Sequence, residues 1–163
     1  MIGFAQAARE LRFETAIRLD HTPHVSIDLQ IDDEALTYPF SYDPDEALDL
    51  ERTIERHYSD PDDEVGKWAG QFLRIGQPTE TGHLLMTMCY AIHESFIYAR
   101  RSAHGTQAPL ETLQLRRGTC RDFALLMMEA ARSLGLAARF VTGYIYVPDR
   151  DGSTTLGGGS TQD

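Results

Sequence analysis

Residues 118–148, GTCRDFALLMMEAARSLGLAARFVTGYIYVP, set a cysteine at the mouth of an apolar helix and follow that helix with a strand. Thr119 is a good N-cap, and Asp122 three residues later completes a near capping box, with Asp in place of the usual Glu or Gln. The pattern predicts a helix to about Leu134, stopped by Gly135. Phe123, Leu126, Met127, Ala130 and Leu134 share one face. Ala124, Leu125, Met128 and Ala131 extend the apolar surface, so the helix is expected to be covered nearly all round. Cys120 falls at the first helical position, where unpaired N–H groups and the helix dipole favour thiolate over thiol. Arg116, Arg117 and Arg121 add positive charge, and Gly118 lets another backbone or a substrate come close. Position and charge alone leave two readings open, a held nucleophile or a structural cysteine in a helix cap. Beyond Gly135, residues 138–147 read as a strand, with Phe140, Thr142, Tyr144 and Tyr146 on one face.

Upstream, LRFETAIRL and HVSIDLQI alternate in polarity around a turn at DHTPH, which predicts a β-hairpin over roughly 11–31. Asp43 before Pro44 opens a helix to about His57. Asp60 before Pro61 repeats the device, with Val65, Trp68, Phe72 and Ile75 as the expected buried stripe. The longest helix follows over TETGHLLMTMCYAIHESFIYARR, lined by Leu85, Met88, Ile92 and Phe96 and widened by Leu84 and Ile97. A short helical turn is expected near 109–115. The domain organisation reads as β strands over 1–37, an α+β core over 38–150, and a Gly/Ser-rich loop over 151–163.

The chain has 163 residues, 42% of them hydrophobic and 25% charged, enough for one domain with a real core. Its net charge of −10 is unevenly placed. Residues 1–99 hold 7 basic against 19 acidic side chains (−12), whereas 100–163 hold 8 against 6 (+2). An acidic surface repels phosphate backbones, which argues against a nucleic-acid partner. No apolar run approaches the roughly 20 residues of a membrane span, and the N-terminus lacks a signal-peptide pattern, so the expectation is a cytoplasmic protein without membrane association. Two cysteines, Cys89 and Cys120, make no disulfide framework.

GTCRDFALLMMEAARSLGLAARFVTGYIYVP closely resembles the nucleophile segment of bacterial transglutaminase-like proteins, the cysteine-protease branch of the transglutaminase superfamily. The resemblance rests on G-x-C-R-D, a buried helix, then LG, A-R-F-V and G-Y, and extends over roughly 38–163. It implies a papain/transglutaminase-like α+β fold, with the nucleophile helix in a helical layer packed on an antiparallel sheet and preceded by the β-hairpin. It also implies a thiol acyltransferase or protease: Cys120 attacks an amide or peptide carbonyl and forms a thioester, and the Cys120 N–H is a donor for the oxyanion. Thr119, Arg121, Asp122, Gln114 and Tyr144 are the expected supports. Gln114, six residues before the cysteine, has the spacing of a papain-like oxyanion glutamine. The implied partner is a protein or peptide substrate, with no cofactor, and an open sheet edge would allow pairing with a second copy.

In that family a histidine follows in a T-H-A-W-like motif and an aspartate in a D-P-T-like motif. Neither occurs in these 163 residues, and the histidines at 21, 24, 57, 83, 93 and 104 all precede Cys120. The expectation is therefore a catalytically incomplete chain, a fragment or truncated form, that does not turn over. The alternatives are a non-catalytic transglutaminase-like binding or scaffold domain and a redox-responsive domain in which Cys120 is an oxidisable thiol. His93 and His104 are the upstream candidates for a substitute base. Other constellations are poorer. HTPH offers two histidines only, His83, Cys89 and His93 lack the spacing of a zinc site, and Asp60, Asp62, Asp63 and Glu64 lack the glycine and distal glutamate of an EF-hand, so no metal is expected. Cys89 reads as a small buried hydrophobe.

Overall fold

A computed structural model describes residues 14–16, 18, 30–100 and 104–143. The chain divides into two units, 1–30 and 31–163, and the architecture below is that of the second. Most of the strands expected over 11–31, together with Tyr144 and the Gly/Ser-rich segment 151–163, lies outside the described residues.

After a 3-10 turn at Asp33–Ala35, β1 (Thr37–Tyr38) leads into α1 (Pro44–Ile54). Asp43 caps α1 as its sequence predicts: its Oδ1 accepts the Asp45 N–H at 2.8 Å, and Pro44 sits at the first helical position. The next helix, α2 (Glu64–Gly70), begins later than the Asp60-Pro61 pair suggests. Asp60 still caps it, but from outside the helix, with Oδ1 accepting from the Glu64 N–H at 2.9 Å and Oδ2 from the Val65 N–H at 3.0 Å. The intervening Asp63 takes left-handed backbone (φ 50°). Arg56 spans this turn, donating to Asp60 at 2.6 Å and Asp63 at 2.7 Å. Burial alone would raise the Asp60 pKa. The hydrogen bonds from Arg56, Val65 and Glu64 outweigh that and hold it below its ordinary value.

Because α2 stops at Gly70, the helical period does not reach Ile75, which is fully exposed rather than part of the buried stripe. Val65 is buried as expected, and Trp68 and Phe72 are half-buried. β2 (Thr79–Glu80) pairs antiparallel with β1, Thr37 opposite Glu80 and Tyr38 opposite Thr79. The longest helix, α3 (Thr81–Ser95), buries Leu84, Met88 and Ile92, with Phe96 buried just past its end. Cys89 corrects its reading: with Tyr90 it lies on an exposed flank of α3. Ile97 is likewise exposed, in β3 (Ile97–Tyr98).

The remaining elements are α4 (Pro109–Leu115), β4 (Arg117–Gly118) and α5 (Cys120–Ser133). β3 and β4 run parallel, Ile97 beside Arg117 and Tyr98 beside Gly118. The fold is thus α+β, a helical layer joined by short ladders. The described part of the strand expected over 138–147, residues 138–143, forms no ladder.

The core gathers Val65 and Ala69 of α2, Leu84, Met88 and Ile92 of α3, Phe96, and Leu126 and Ala130 of α5. Phe96 meets Trp68 and Phe123 edge-on, at centroid distances of 6.4 and 5.8 Å. The cover over α5 is less complete than its composition suggests. Leu125, Leu126, Ala130 and Ala131 are buried, whereas Cys120, Arg121 and Ala124 at its start are exposed. The far end is held by polar groups. Arg132 bonds the buried Glu129 at 3.0 Å and donates to the carbonyls of Thr53 and Ala138, each at 2.9 Å. The Ala138 N–H returns to the Thr53 carbonyl at 2.9 Å, and Tyr42 Oη accepts the Ala137 N–H at 2.8 Å. Both ends of α5 are therefore fixed, one by its N-terminal turn and the other against α1.

Candidate functional site

The candidate site is built on the turn from α4 through β4 into α5. Arg116 ends α4 in left-handed backbone (φ 47°), which redirects the chain into β4. Thr119 is extended (φ −93°, ψ 171°), and the helix starts with Cys120. Asp122 makes this start rigid. Its carboxylate is fully buried; Oδ2 accepts the Thr119 N–H at 2.7 Å and the Thr119 hydroxyl at 2.8 Å, and Oδ1 accepts the Gln107 N–H at 2.7 Å. Asp122 thus provides the reach back to the N-cap that its spacing predicts, while its second oxygen secures a loop fifteen residues upstream.

Gly118 is buried at the helix start, beside the β3 backbone. A Cβ there would lie 2.9 Å from Asp122 Cβ, 3.2 Å from Asp122 Oδ2 and 3.3 Å from Phe123 Cε1. The missing side chain makes room for Asp122 and Phe123.

Cys120 carries a free, solvent-exposed thiol. As the first helical residue, its N–H has no intrahelical acceptor, and no hydrogen bond from it occurs among the described residues. Arg116, Arg117 and Arg121, its neighbours in the chain, are all exposed. Thr119, Cys120, Arg121 and Asp122 are therefore brought together. Gln114 is drawn elsewhere: its carboxamide donates to Glu64 Oε1 of α2 at 3.0 Å. There it lines a shallow groove of about 340 Å³ together with Lys67, Trp68, Leu113 and Arg116.

The described histidines, at 57, 83, 93 and 104, are all exposed, and none hydrogen-bonds Cys120. His93 instead pairs with its neighbour Glu94 at 3.0 Å. Among the described residues no group of three or more His, Cys, Asp or Glu side chains is placed to hold a metal ion. No helix among them is long and apolar enough to cross a membrane.

Gln107 is the site residue that sequence reasoning missed. It is buried, and its carboxamide donates to the Arg117 carbonyl at 3.0 Å and to Thr112 Oγ1 at 3.2 Å. A lone glutamine in a loop has no spacing signal, since its partners are 5, 10 and 15 residues away.

The transglutaminase-like superfamily model matches residues 67–160. The chain belongs to the transglutaminase-like superfamily. Among solved structures it is similar to a candidate cysteine protease from Cytophaga hutchinsonii, with 22% identity, a TM-score of 0.48, and coverage of 62% of this chain and 33% of the other. The chain thus spans about a third of the length of that protein. No curated protein matches its sequence.

Proposed function

We propose that Cys120 is the nucleophile of a thiol acyl-transfer reaction on amide or peptide carbonyls. The observation that carries this reading is the exposed sulfur at the first position of α5, on a turn whose backbone is pinned by a fully buried carboxylate. The Cys120 sulfur bonds to the carbonyl carbon, and the Cys120 N–H supports the developing oxyanion. Collapse breaks the C–N bond, the amine leaves with the proton that the thiol gives up, and the acyl group stays on sulfur as a thioester. Attack by water then gives hydrolysis, and attack by an amine gives a new amide. Arg116, Arg117 and Arg121 favour anionic over cationic groups near the reacting carbonyl.

Acylation with p-nitrophenyl acetate, an activated ester that needs no acid to expel its leaving group, tests the reading. The intact chain is expected to release about one equivalent of p-nitrophenol rapidly, with the acetyl group found on Cys120 by peptide mass spectrometry. Cys120→Ser is expected to abolish that phase. Cys89, exposed on α3, is the internal control. Equal acetylation of Cys89 and Cys120, at the rate of a thiol in an unfolded peptide, would refute an activated nucleophile and favour a domain used for binding.

A further inference from the structure

One buried side chain near the cysteine has no part in the proposed chemistry, yet three elements meet on it. Gln107 precedes α4, and its main-chain N–H donates to Asp122 Oδ1 of α5 at 2.7 Å. Its Nε2 donates to the Arg117 carbonyl of β4 at 3.0 Å and to Thr112 Oγ1 of α4 at 3.2 Å. The carbonyls on either side of Arg117 belong to the other strand: Arg116 O accepts from the Ile97 N–H and Gly118 O from the Ala99 N–H, both at 2.8 Å. Successive carbonyls of a strand point to opposite edges, so the Gln107 amide occupies the edge of β4 that β3 leaves open. The residue type fits the task. Thr112 donates its hydroxyl hydrogen bond to the Ala108 carbonyl at 3.0 Å, so its oxygen is an acceptor towards Gln107, as is the Arg117 carbonyl. Two donors on one planar group satisfy both; a glutamate would set acceptor against acceptor.

We propose that Gln107 is a positioning residue for Cys120. Residues 119–121 lie between β4 and Asp122. By holding both at once, Gln107 gives the intervening turn a single orientation, and with it the Cys120 sulfur and N–H. Gln107 also closes β4 to a third strand, so a substrate backbone cannot pair along that edge without displacing it. This role rests on the reading of Cys120 as nucleophile.

The test uses the full chain in a Cys89→Ser background, so that one thiol reports. Two quantities are compared for Gln107, Gln107→Ala and Gln107→Glu: amide-exchange protection of residues 117–121, and the rate of Cys120 alkylation by iodoacetamide at pH 7 and pH 9. Gln107→Ala is expected to lower protection of 117–121 roughly tenfold, the size of removing one or two buried hydrogen bonds, with α3 unchanged. The ratio of the pH 7 to the pH 9 alkylation rate is expected to fall with it. Gln107→Glu is expected to behave like Gln107→Ala at pH 8 and to regain protection towards pH 5, where a protonated carboxyl restores one donor. Loss of protection spread evenly over the chain, with an unchanged rate ratio, would make Gln107 a structural residue only and overturn the proposal. A reactive Cys120 indifferent to Gln107 would overturn the positioning role alone. A Cys120 no faster than an unstructured thiol would overturn it together with the nucleophile reading.

Discussion

Replacing Arg132 by methionine should be among the most damaging single changes in this chain, and its size can be worked from the contacts. The guanidinium is 7% exposed and its partner Glu129 1% exposed, with Nη1 and Oε1 3.0 Å apart. Removing the arginine leaves a buried carboxylate whose other oxygen, Oε2, is already buried without a hydrogen bond. It also strips the Ala138 carbonyl of its donor, while the Thr53 carbonyl keeps the Ala138 N–H. Breaking a buried pair from one side costs about 3–5 kcal/mol, a large share of the roughly 5–15 kcal/mol that holds a domain together. Urea unfolding at neutral pH, followed by the fluorescence of Trp68, reads the loss directly, since the sequence has a single tryptophan and it packs against Phe72 and Phe96. Adding Glu129→Met should recover roughly half of the loss, because the stranded charge disappears and only the orphaned carbonyl, worth about 1–3 kcal/mol, remains. A cost below about 1 kcal/mol for Arg132→Met, or a second substitution that adds to the damage, would refute this account of the pair.

Four further outcomes follow from the geometry. Gly118→Ala forces a Cβ to within 2.9 Å of Asp122 and should destabilise by about 1–3 kcal/mol in the same unfolding assay. The Asp60 carboxyl is held below its ordinary value, so its contribution is complete at neutral pH and lost as pH falls from about 4 through its folded value; Asp60→Asn should flatten the acid limb of a stability-against-pH curve. Both thiols are exposed, so titration with a chromogenic disulfide should count two per chain without denaturant. Gln114→Ala removes an exposed contact to Glu64 and should change stability by less than about 0.5 kcal/mol, while any effect on Cys120 acylation would show that Gln114 acts on the reaction.

The helices that could be read from the sequence are those whose ends are set by neighbours in the chain. Asp43 and Pro44 open α1, Pro109 opens α4, and Thr119, Asp122 and Gly135 bound α5, all through bonds or backbone preferences within a few residues. The errors arise where a side chain reaches further. Asp60 was legible as a cap, but its carboxylate serves N–H groups beyond an intervening turn, so α2 starts late and Ile75 falls outside the helix it was assigned to. Cys89 shares a helix with Met88 and Ile92 but lies on an exposed flank of it, an orientation set by what packs on α3 rather than by its own residue type. At the candidate site, Cys120, Thr119 and Asp122 were visible because they are adjacent. Gln107 was not, because nothing local distinguishes it until the chain has folded back upon Asp122.

The Arg132 clamp has a consequence for how the sequence can drift. On α1 and beyond α5 it grips main-chain oxygens, which every amino acid supplies alike. Positions 53 and 138 are therefore free, as far as the clamp is concerned, to change their side chains, proline at 138 excepted because its nitrogen could not reach back to Thr53. Side-chain identity at this junction is demanded only at Glu129 and Arg132 of the clamp and at Tyr42, whose hydroxyl accepts the Ala137 N–H beside it.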